Sequence, residues 1–386
     1  MNILYISLDD PRKFGMGSQQ RNNFLWRALR EIGDVYTVFG AREKDSLVVD
    51  DNLKIRSIFL RPKTFLEAKF RWFFRGLIKY GNWPFRDKCI VRECIGWKDV
   101  KFDIVVARCL GAASWLSAWQ IAPLYVDVDD VPTLAFESVI RFQLPHILVP
   151  VSRAIMRWWQ NFVVGKCNGL WLVKASDSNE LPKGVRYSLL HNIARLPADS
   201  YSINCEAEEK IMLTVGCMGY GPNSEGVSWF LKNVWCTFYE DHRDWKYVIV
   251  GRGADHLHLS EWQGYQGVNV MGYVDNLEDV YARASAVVAP INSGAGTCIK
   301  VIESAVYGKK TFATPFAVRG MQEDEISRYG IDVFYGADEF IREFNSWFDK
   351  ETSARTDCLA RIAADARKDY SFDGFRDAVR DMVQNG

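Results

Sequence analysis

The feature that most constrains this chain is a rhythm that starts twice: short apolar, β-branched runs separated by stretches of helical spacing. Runs buried on both faces belong to parallel sheets, and parallel neighbours need helical crossovers between them. NILYISL (2–8), VYTVFG (35–40), DIVVARC (103–109) and LYVDVDD (124–130) read as strands ending in loops, and HILVPVS (146–152) and GLWLVKAS (169–176) continue the series. QRNNFLWRALREIG (20–33) has the apolar spacing of a helix, with Gly33 as its stop.

The rhythm restarts at KIMLTVG (210–216). Asn223 and Ser224 are expected to cap a helix over EGVSWFLKNVW, and KYVIVGRG (246–253) is a strand ending in glycines. GVNVMGYV (267–274), NLEDVYARA (276–284), SAVVAPI (285–291) and KKTFATP (309–315) follow as strand, helix, strand and strand. DEFIREFNSWF (338–348) and the residues from about Glu351 onward read as helical. The stretch 196–210 is polar, acidic and strandless, and is the expected linker. With 386 residues, two domains are the prior. The fold class is therefore α/β, two doubly wound domains in series, with a ligand expected in the cleft at the carboxyl ends of their strands.

Charge and cysteine usage narrow the function classes. The formal net charge is zero, which argues against nucleic acid as a partner. Nine scattered cysteines with no CxxC pair argue against a disulfide framework or a zinc site and for a reducing compartment. The apolar part of MNILYISLDD is too short for a signal peptide, no apolar window spans a bilayer, and a cytoplasmic location is expected. His256 and His258 have no ligand-spaced Cys or carboxylate beside them, so metal: none is the expectation. His191, near the end of the first half, reads as structural.

The stretch SGAGTCIKVIESAVYG (293–308) carries the chemistry. A strand ends, a glycine loop follows, and a helix begins near Thr297. Bare backbone amides at a helix N-terminus make an anion site. Gly294 and Gly296 permit close approach, Thr297 adds a hydroxyl, and Lys300 and Glu303 lie three apart on one helix face. A Lys beside two phosphates and a Glu beside sugar hydroxyls would suit a nucleotide diphosphate. The alternative is a plain strand–turn–helix with a surface Lys–Glu pair.

This run, from Pro290 to KKTFATP, resembles the donor-binding signature of GT-B glycosyltransferases, especially the retaining glycosyltransferase family 4. LTVGCMGYGPNSEGVSWFLKNVW, YVIVGRG, VNVMGYVDNLEDVYARA, LLHNIARLP and GMGSQQRNNFLWRAL resemble other family segments in order. The resemblance is strong over 210–320 and weak over about 45–100. It implies a GT-B fold of two Rossmann-like domains facing a cleft. An acceptor-binding domain would span 1–200 and a nucleotide-sugar-binding domain 201–365, with a C-terminal helix at 366–386 crossing back to the first. Glu303 would hold the ribose; Lys300 and the amides around Gly296–Thr297 the diphosphate; and the backbone at Tyr273–Val274 the base. Gly216 ends the first strand of the second half, and Gly15 and Gly17 would approach the phosphates or the sugar.

The sequence departs from the family in three places. A frequent Glu is replaced by Ala295. The Arg and Lys after the first C-domain strand are replaced by Cys217, Met218 and Gly219, which makes Arg252 and Arg319 candidates for a second cation. A frequent N-domain His is missing, and DVDDVP stands there instead. Asp127, Asp129 and Asp130 are thus candidate catalytic groups that orient the acceptor hydroxyl or take its proton, or else helix caps. Asp9, Asp10 and Arg21 are secondary candidates.

One segment remains. FLEAKFRWFFRGLIKYGNWPFRDK (65–88) holds eight aromatics, and from Lys54 to Lys101 there are 13 Lys/Arg against 4 Asp/Glu. Such a segment lies at an anionic inner-face membrane surface, or it packs on its own domain with snorkelling arginines. Trp158 and Trp159 would extend that surface or sit in the core. The reading that results is transfer of a sugar from a nucleotide-diphosphate sugar to a hydroxyl of a glycan or lipid-linked acceptor, retaining by family resemblance, in bacterial surface-glycan assembly, with no cofactor. The rivals are a nucleotide-sugar epimerase of the same fold and a non-catalytic sugar- or partner-binding module.

Overall fold

The structure is a computed structural model and describes residues 1–15, 17–41, 48–59, 97, 99–138, 146–203, 210–254, 259–294 and 297–384. The segment 65–88, His256, His258, Ala295 and Gly296 lie outside the described residues. The chain divides into two units, Met1–His191 with Phe372–Gly386, and Asn192–Ser371.

In the first unit the described strands are β1 (Asn2–Ser7), β2 (Asp34–Ala41), β3 (Val49–Asp50), β4 (Ile55–Phe59), β5 (Ile104–Arg108), β6 (Leu124–Val128), β7 (Gly169–Leu172) and β8 (Tyr187–Leu189). They form one sheet in the order β3-β4-β2-β1-β5-β6-β7-β8. Its pairs are parallel apart from β3 with β4. Ile3 sits between Val35 and Ile104 in register. β1, β5, β6 and β7 are buried almost throughout, which explains their largely apolar sequence.

The described helices of this unit up to its eighth strand are α1 (Gly17–Ile32), α2 (Leu110–Trp115), α3 (Pro132–Ser138) and α4 (Val149–Val164). α1 buries Phe24, Leu25, Ala28 and Leu29, one helical stripe, and ends where the Gly33 amide donates to the Leu29 carbonyl at 3.0 Å. HILVPVS does not form a strand: residues 146–148 make a 3₁₀ turn and Val149 opens α4. Pro150 lies in the first helical turn, where its missing N–H costs nothing, and the apolar run continues at helical rather than alternating spacing.

In the second unit β9 (Lys210–Val215), β10 (Trp245–Val250), β11 (Val268–Met271), β12 (Ala286–Ala289), β13 (Lys310–Ala313) and β14 (Ile331–Val333) form a parallel sheet, ordered β11-β10-β9-β12-β13-β14. Its described helices are α5 (Gly221–Phe230), α6 (Cys236–Asp241), α7 (Leu259–Trp262), α8 (Leu277–Arg283), α9 (Ile299–Val306), α10 (Glu323–Arg328), α11 (Ala337–Phe348) and α12 (Thr352–Asp369). A π-turn at Leu231–Trp235 joins α5 to α6. α5 begins four residues earlier than its sequence suggests: Asn223 and Ser224 are inside it, and Tyr220 is the capping residue. A final helix, α13 (Phe372–Gln384), belongs to the first unit.

Each sheet grows outward in both directions from its first strand. The strand order reverses between β1 and β5 in one unit and between β9 and β12 in the other. Carboxyl ends of strands at such a reversal leave a crevice for a ligand.

Candidate functional site

At the β9/β12 reversal the backbone is bare and tightly fitted. Gly251 follows β10 with φ 145°, and a Cβ there would stand 1.7 Å from the Gly216 carbonyl oxygen, so only glycine fits. Gly216 in turn donates its amide to the Val250 carbonyl at 2.9 Å. A Cβ on Gly226 of α5 would fall 2.1 Å from the Pro290 carbonyl oxygen, so this helix packs directly on the backbone that leaves β12. Gly294 has φ 117°.

Across this surface runs Lys300, from the first turn of α9. Its Nζ donates to Asn223 Oδ1 at 2.8 Å, and Asn223 Nδ2 donates to the Cys217 carbonyl at 2.8 Å. A Cβ on Gly216 would lie 2.7 Å from Lys300 Cε and 3.1 Å from Asn223 Nδ2. Gly216 is thus bare because a lysine stem and its amide clamp occupy the space. Asn223 has no place among the sequence-derived candidates, because an Asn ahead of a helical pattern reads as a cap.

Thr297 Oγ1 accepts from Asn192 Nδ2 at 2.7 Å, a second residue that sequence reasoning missed. Glu303 is buried, 6% exposed. Burial first, and then the Glu303 charge, push the Tyr281 hydroxyl well above its ordinary range. Tyr281 stacks on Tyr307 with ring centroids 4.3 Å apart. Beyond β10 and β11, the exposed Tyr273 ring has the Arg252 guanidinium 5.6 Å from its centroid, while Val274 packs at the edge of the core. Arg319 lies over Phe316 at 3.9 Å. The structure therefore brings Gly216 and Lys300 together and sets Tyr273, Val274 and Arg252 at the β10–β11 side.

The first unit has its own polar centre at the β1/β5 reversal. Asp127, at the end of β6, is fully buried. Arg21 Nε reaches its Oδ2 at 2.9 Å and Arg21 Nη2 its Oδ1 at 2.5 Å, a bidentate fork. Arg108 Nε stands 3.3 Å from the same carboxylate, and Arg108 Nη2 donates to Asp129 Oδ2 at 2.7 Å. Burial pulls the Arg108 guanidinium down, but the Asp127 and Asp129 charges outweigh it and hold the group above its ordinary value. Asp127 is therefore an anchor beneath the surface, and Arg21 is its buried partner rather than an exposed helix residue. Asp129 and Asp130 are half-buried and face the loop with partial solvent access.

Nearby groups complete the picture. Tyr5 donates to Asn22 Oδ1 at 2.5 Å beneath this network. Cys109, which follows β5, has φ 75° and ψ 158°, a region almost reserved for glycine. Asp10 is paired with Arg12 at 2.8 Å; partial burial pushes its carboxyl up, but hydrogen bonds and charge from Arg12 win and hold it below its ordinary value. Gly15 is exposed, its carbonyl accepting from Gln20 Nε2 at 3.4 Å, and Gly17 opens α1. Among the described residues no three His, Cys, Asp or Glu side chains gather as a metal-holding group. No described helix is long and apolar enough to cross a membrane.

Comparison with known proteins places this geometry. Residues 209–344 match the family described as Glycosyl transferases group 1. No curated protein sequence matches the chain. Among solved structures, sucrose-phosphate synthase from Thermosynechococcus elongatus is similar over 100% of this chain and 98% of its own, with TM-score 0.70 and 14% identity. Anabaena Alr3699/HepE in complex with UDP and glucose is similar over 100% of both chains, with TM-score 0.66 and 10% identity. WaaG, a glycosyltransferase involved in lipopolysaccharide biosynthesis, is similar over 100% of both, with TM-score 0.63 and 12% identity. These likenesses show the fold, GT-B with two Rossmann-like domains.

Proposed function

We propose that this chain, a glycosyltransferase of the group 1 type with the GT-B fold, takes its sugar from a nucleotide-diphosphate donor held by the second unit and delivers it to a hydroxyl of a glycan or lipid-linked acceptor held by the first. The observation that supports the donor assignment is the Lys300–Asn223 clamp lying over Gly216 at the β9/β12 reversal. An ammonium held in place by an amide, beside the first turn of α9, is poised for a diphosphate. Charge accumulates on that diphosphate as the glycosidic bond breaks, so the same lysine would stabilise the leaving group. Glu303 is the proposed ribose ligand, and the backbone at Tyr273–Val274 the proposed seat of the base. A structural neighbour was determined with UDP-glucose, which makes UDP sugars the first donors to test.

In the first unit, Asp129 and Asp130 are the proposed acceptor-facing carboxylates, with Asp127 holding Arg108 and Arg21 behind them. Retention of configuration and a role in bacterial surface-glycan assembly are proposed by family resemblance, as is family 4 membership. Calorimetry with UDP, GDP, ADP and dTDP sugars tests the donor reading. One donor should bind, and Lys300→Ala should weaken it by roughly 10–100-fold while nearly abolishing transfer. Wild-type affinity in Lys300→Ala, or no binding of any nucleotide sugar by the wild type, would sink it.

A further inference from the structure

The bond between Asn192 Nδ2 and Thr297 Oγ1, 2.7 Å long, joins residues 105 positions apart in the sequence. Both belong to the second unit, which begins at Asn192. With the amide donating, the threonine oxygen is the acceptor, and the threonine's own proton points away from Asn192. The amide is held firmly enough to keep this state. Asn192 is 3% exposed, and Ile193 and Ala194 beside it are buried as well. Thr297 stands just before Cys298, the capping residue of α9, and shortly before Lys300. Cys298 makes no side-chain cap bond among the described residues, so its side chain does not satisfy the first-turn amides of α9. The oriented hydroxyl therefore lies where the backbone also offers donors.

We propose that Asn192 is a positioning residue for the donor: it turns the Thr297 hydroxyl so that its proton is given to the diphosphate. This rests on the reading of Lys300 and α9 as the diphosphate site. A threonine hydroxyl in water rotates freely and both donates and accepts. The oxygens of a diphosphate at neutral pH are acceptors, so a hydroxyl that offers them a lone pair repels them. The buried amide engages a lone pair of Thr297 Oγ1 and excludes the rotamer in which the proton faces Asn192. Part of the ordering that the ligand would otherwise impose is thus complete before it arrives. Lys300 supplies charge with little directionality, and Thr297 supplies direction without charge. Asn192 acts only through Thr297 and need not touch the ligand. Bracing of the loop by packing alone would use the same contact, but the two roles respond differently to substitution.

Asn192→Ala removes both the donor and the side-chain volume. Asn192→Asp keeps the volume and reverses the bond, because a carboxylate accepts and draws the Thr297 proton to itself. Packing alone would make Asn192→Asp the milder change; orientation makes it the more severe. Calorimetry on the full chain with UDP, GDP, ADP and dTDP, each beside its monophosphate, reads the difference. For the diphosphate that binds, Thr297→Val should weaken affinity about tenfold or more, Asn192→Ala roughly 3–10-fold, and Asn192→Asp more than Asn192→Ala. Thr297→Ser, which keeps the hydroxyl, should stay within about twofold. The matching monophosphate should lose less than the diphosphate in every variant. In the Thr297→Val background, Asn192→Ala should add nothing, since the hydroxyl it orients is already gone. Melting temperatures of all variants report folding. Wild-type binding with a milder Asn192→Asp than Asn192→Ala, equal losses for mono- and diphosphate, or additive effects of the two sites would overturn this role and leave the donor reading standing. If the wild type binds no diphosphate, the donor reading falls and this role with it.

Discussion

At the residue scale, the donor-side chemistry depends on what a side chain would collide with. Gly216 and Gly251 are both bare, for different reasons. A methyl on Gly216 meets the far part of a flexible lysine, which can move, whereas one on Gly251 meets backbone, which cannot. Gly216→Ala should therefore fold with a stability change of about 1 kcal/mol, yet weaken donor binding about tenfold by displacing Lys300. Gly251→Ala should cost about 3 kcal/mol or more. Denaturant unfolding and donor titration separate the two, and unaltered donor binding in Gly216→Ala would contradict the clamp. The sequence pointed to Lys300 with Gly294 and Gly296 because they are close together in it. It did not reveal that Asn223, 77 positions upstream, holds the lysine, since an Asn at the start of a helix reads as a cap.

At the element scale, two strands and a helix converge on one buried carboxylate: β6 carries Asp127, β5 brings Arg108 and α1 brings Arg21. Asp127→Ala would leave Arg21 and Arg108 charged without their shared partner, at a cost of about 3–5 kcal/mol. Asp129→Asn should change stability by about 1 kcal/mol or less and, if Asp129 faces the acceptor, reduce transfer far more than folding. Chemical denaturation alongside an activity assay distinguishes anchor from acceptor-facing group. A loss under about 1 kcal/mol for Asp127→Ala would refute its role as anchor. The run DVDD gave no means of ranking these carboxylates, because Arg21 lies 106 residues from Asp127 in sequence. Trp158 and Trp159 were separable in principle: adjacent positions on a helix point about 100° apart, so one indole faces in and the other out. Reading 146–152 as a strand hid that geometry.

At the scale of the whole molecule, most of the strand–helix order was legible, since buried parallel strands write themselves as continuous apolar runs. The short strands β3, β8 and β14 were not, because two or three residues carry no periodicity. Both units bury tyrosines whose hydroxyls burial pushes far up, among them Tyr5, Tyr247 and Tyr281. In the unfolded chain a tyrosine ionises near its ordinary value of 10.0. The stability these groups contribute is complete below that pH and is lost as pH rises toward the higher folded values. Stability should thus fall steeply above about pH 10, with exposed tyrosines such as Tyr273 and Tyr335 ionising first and the buried tyrosines' phenolate absorbance appearing only together with unfolding. Ionisation of all the tyrosines before any loss of circular dichroism would contradict this.

The helix α13 also acts at this scale. Phe372 and Phe375 pack on Phe24, Arg376 pairs with Glu31 at 3.1 Å, and Arg21 stands 5.8 Å from the Phe375 ring centroid. Truncation before Phe372 should destabilise the first unit, where buried Phe375, Val379 and Met382 would leave their site empty; limited proteolysis of α1 would report it. The placement also sets a timetable for synthesis. The first unit leaves the ribosome without its closing helix and waits while all of Asn192–Ser371 is translated. At about 5–20 residues per second that wait lasts roughly 10–40 s. During that interval Phe24 is open to whatever nascent-chain factors are near, and the half made first is the last to be finished.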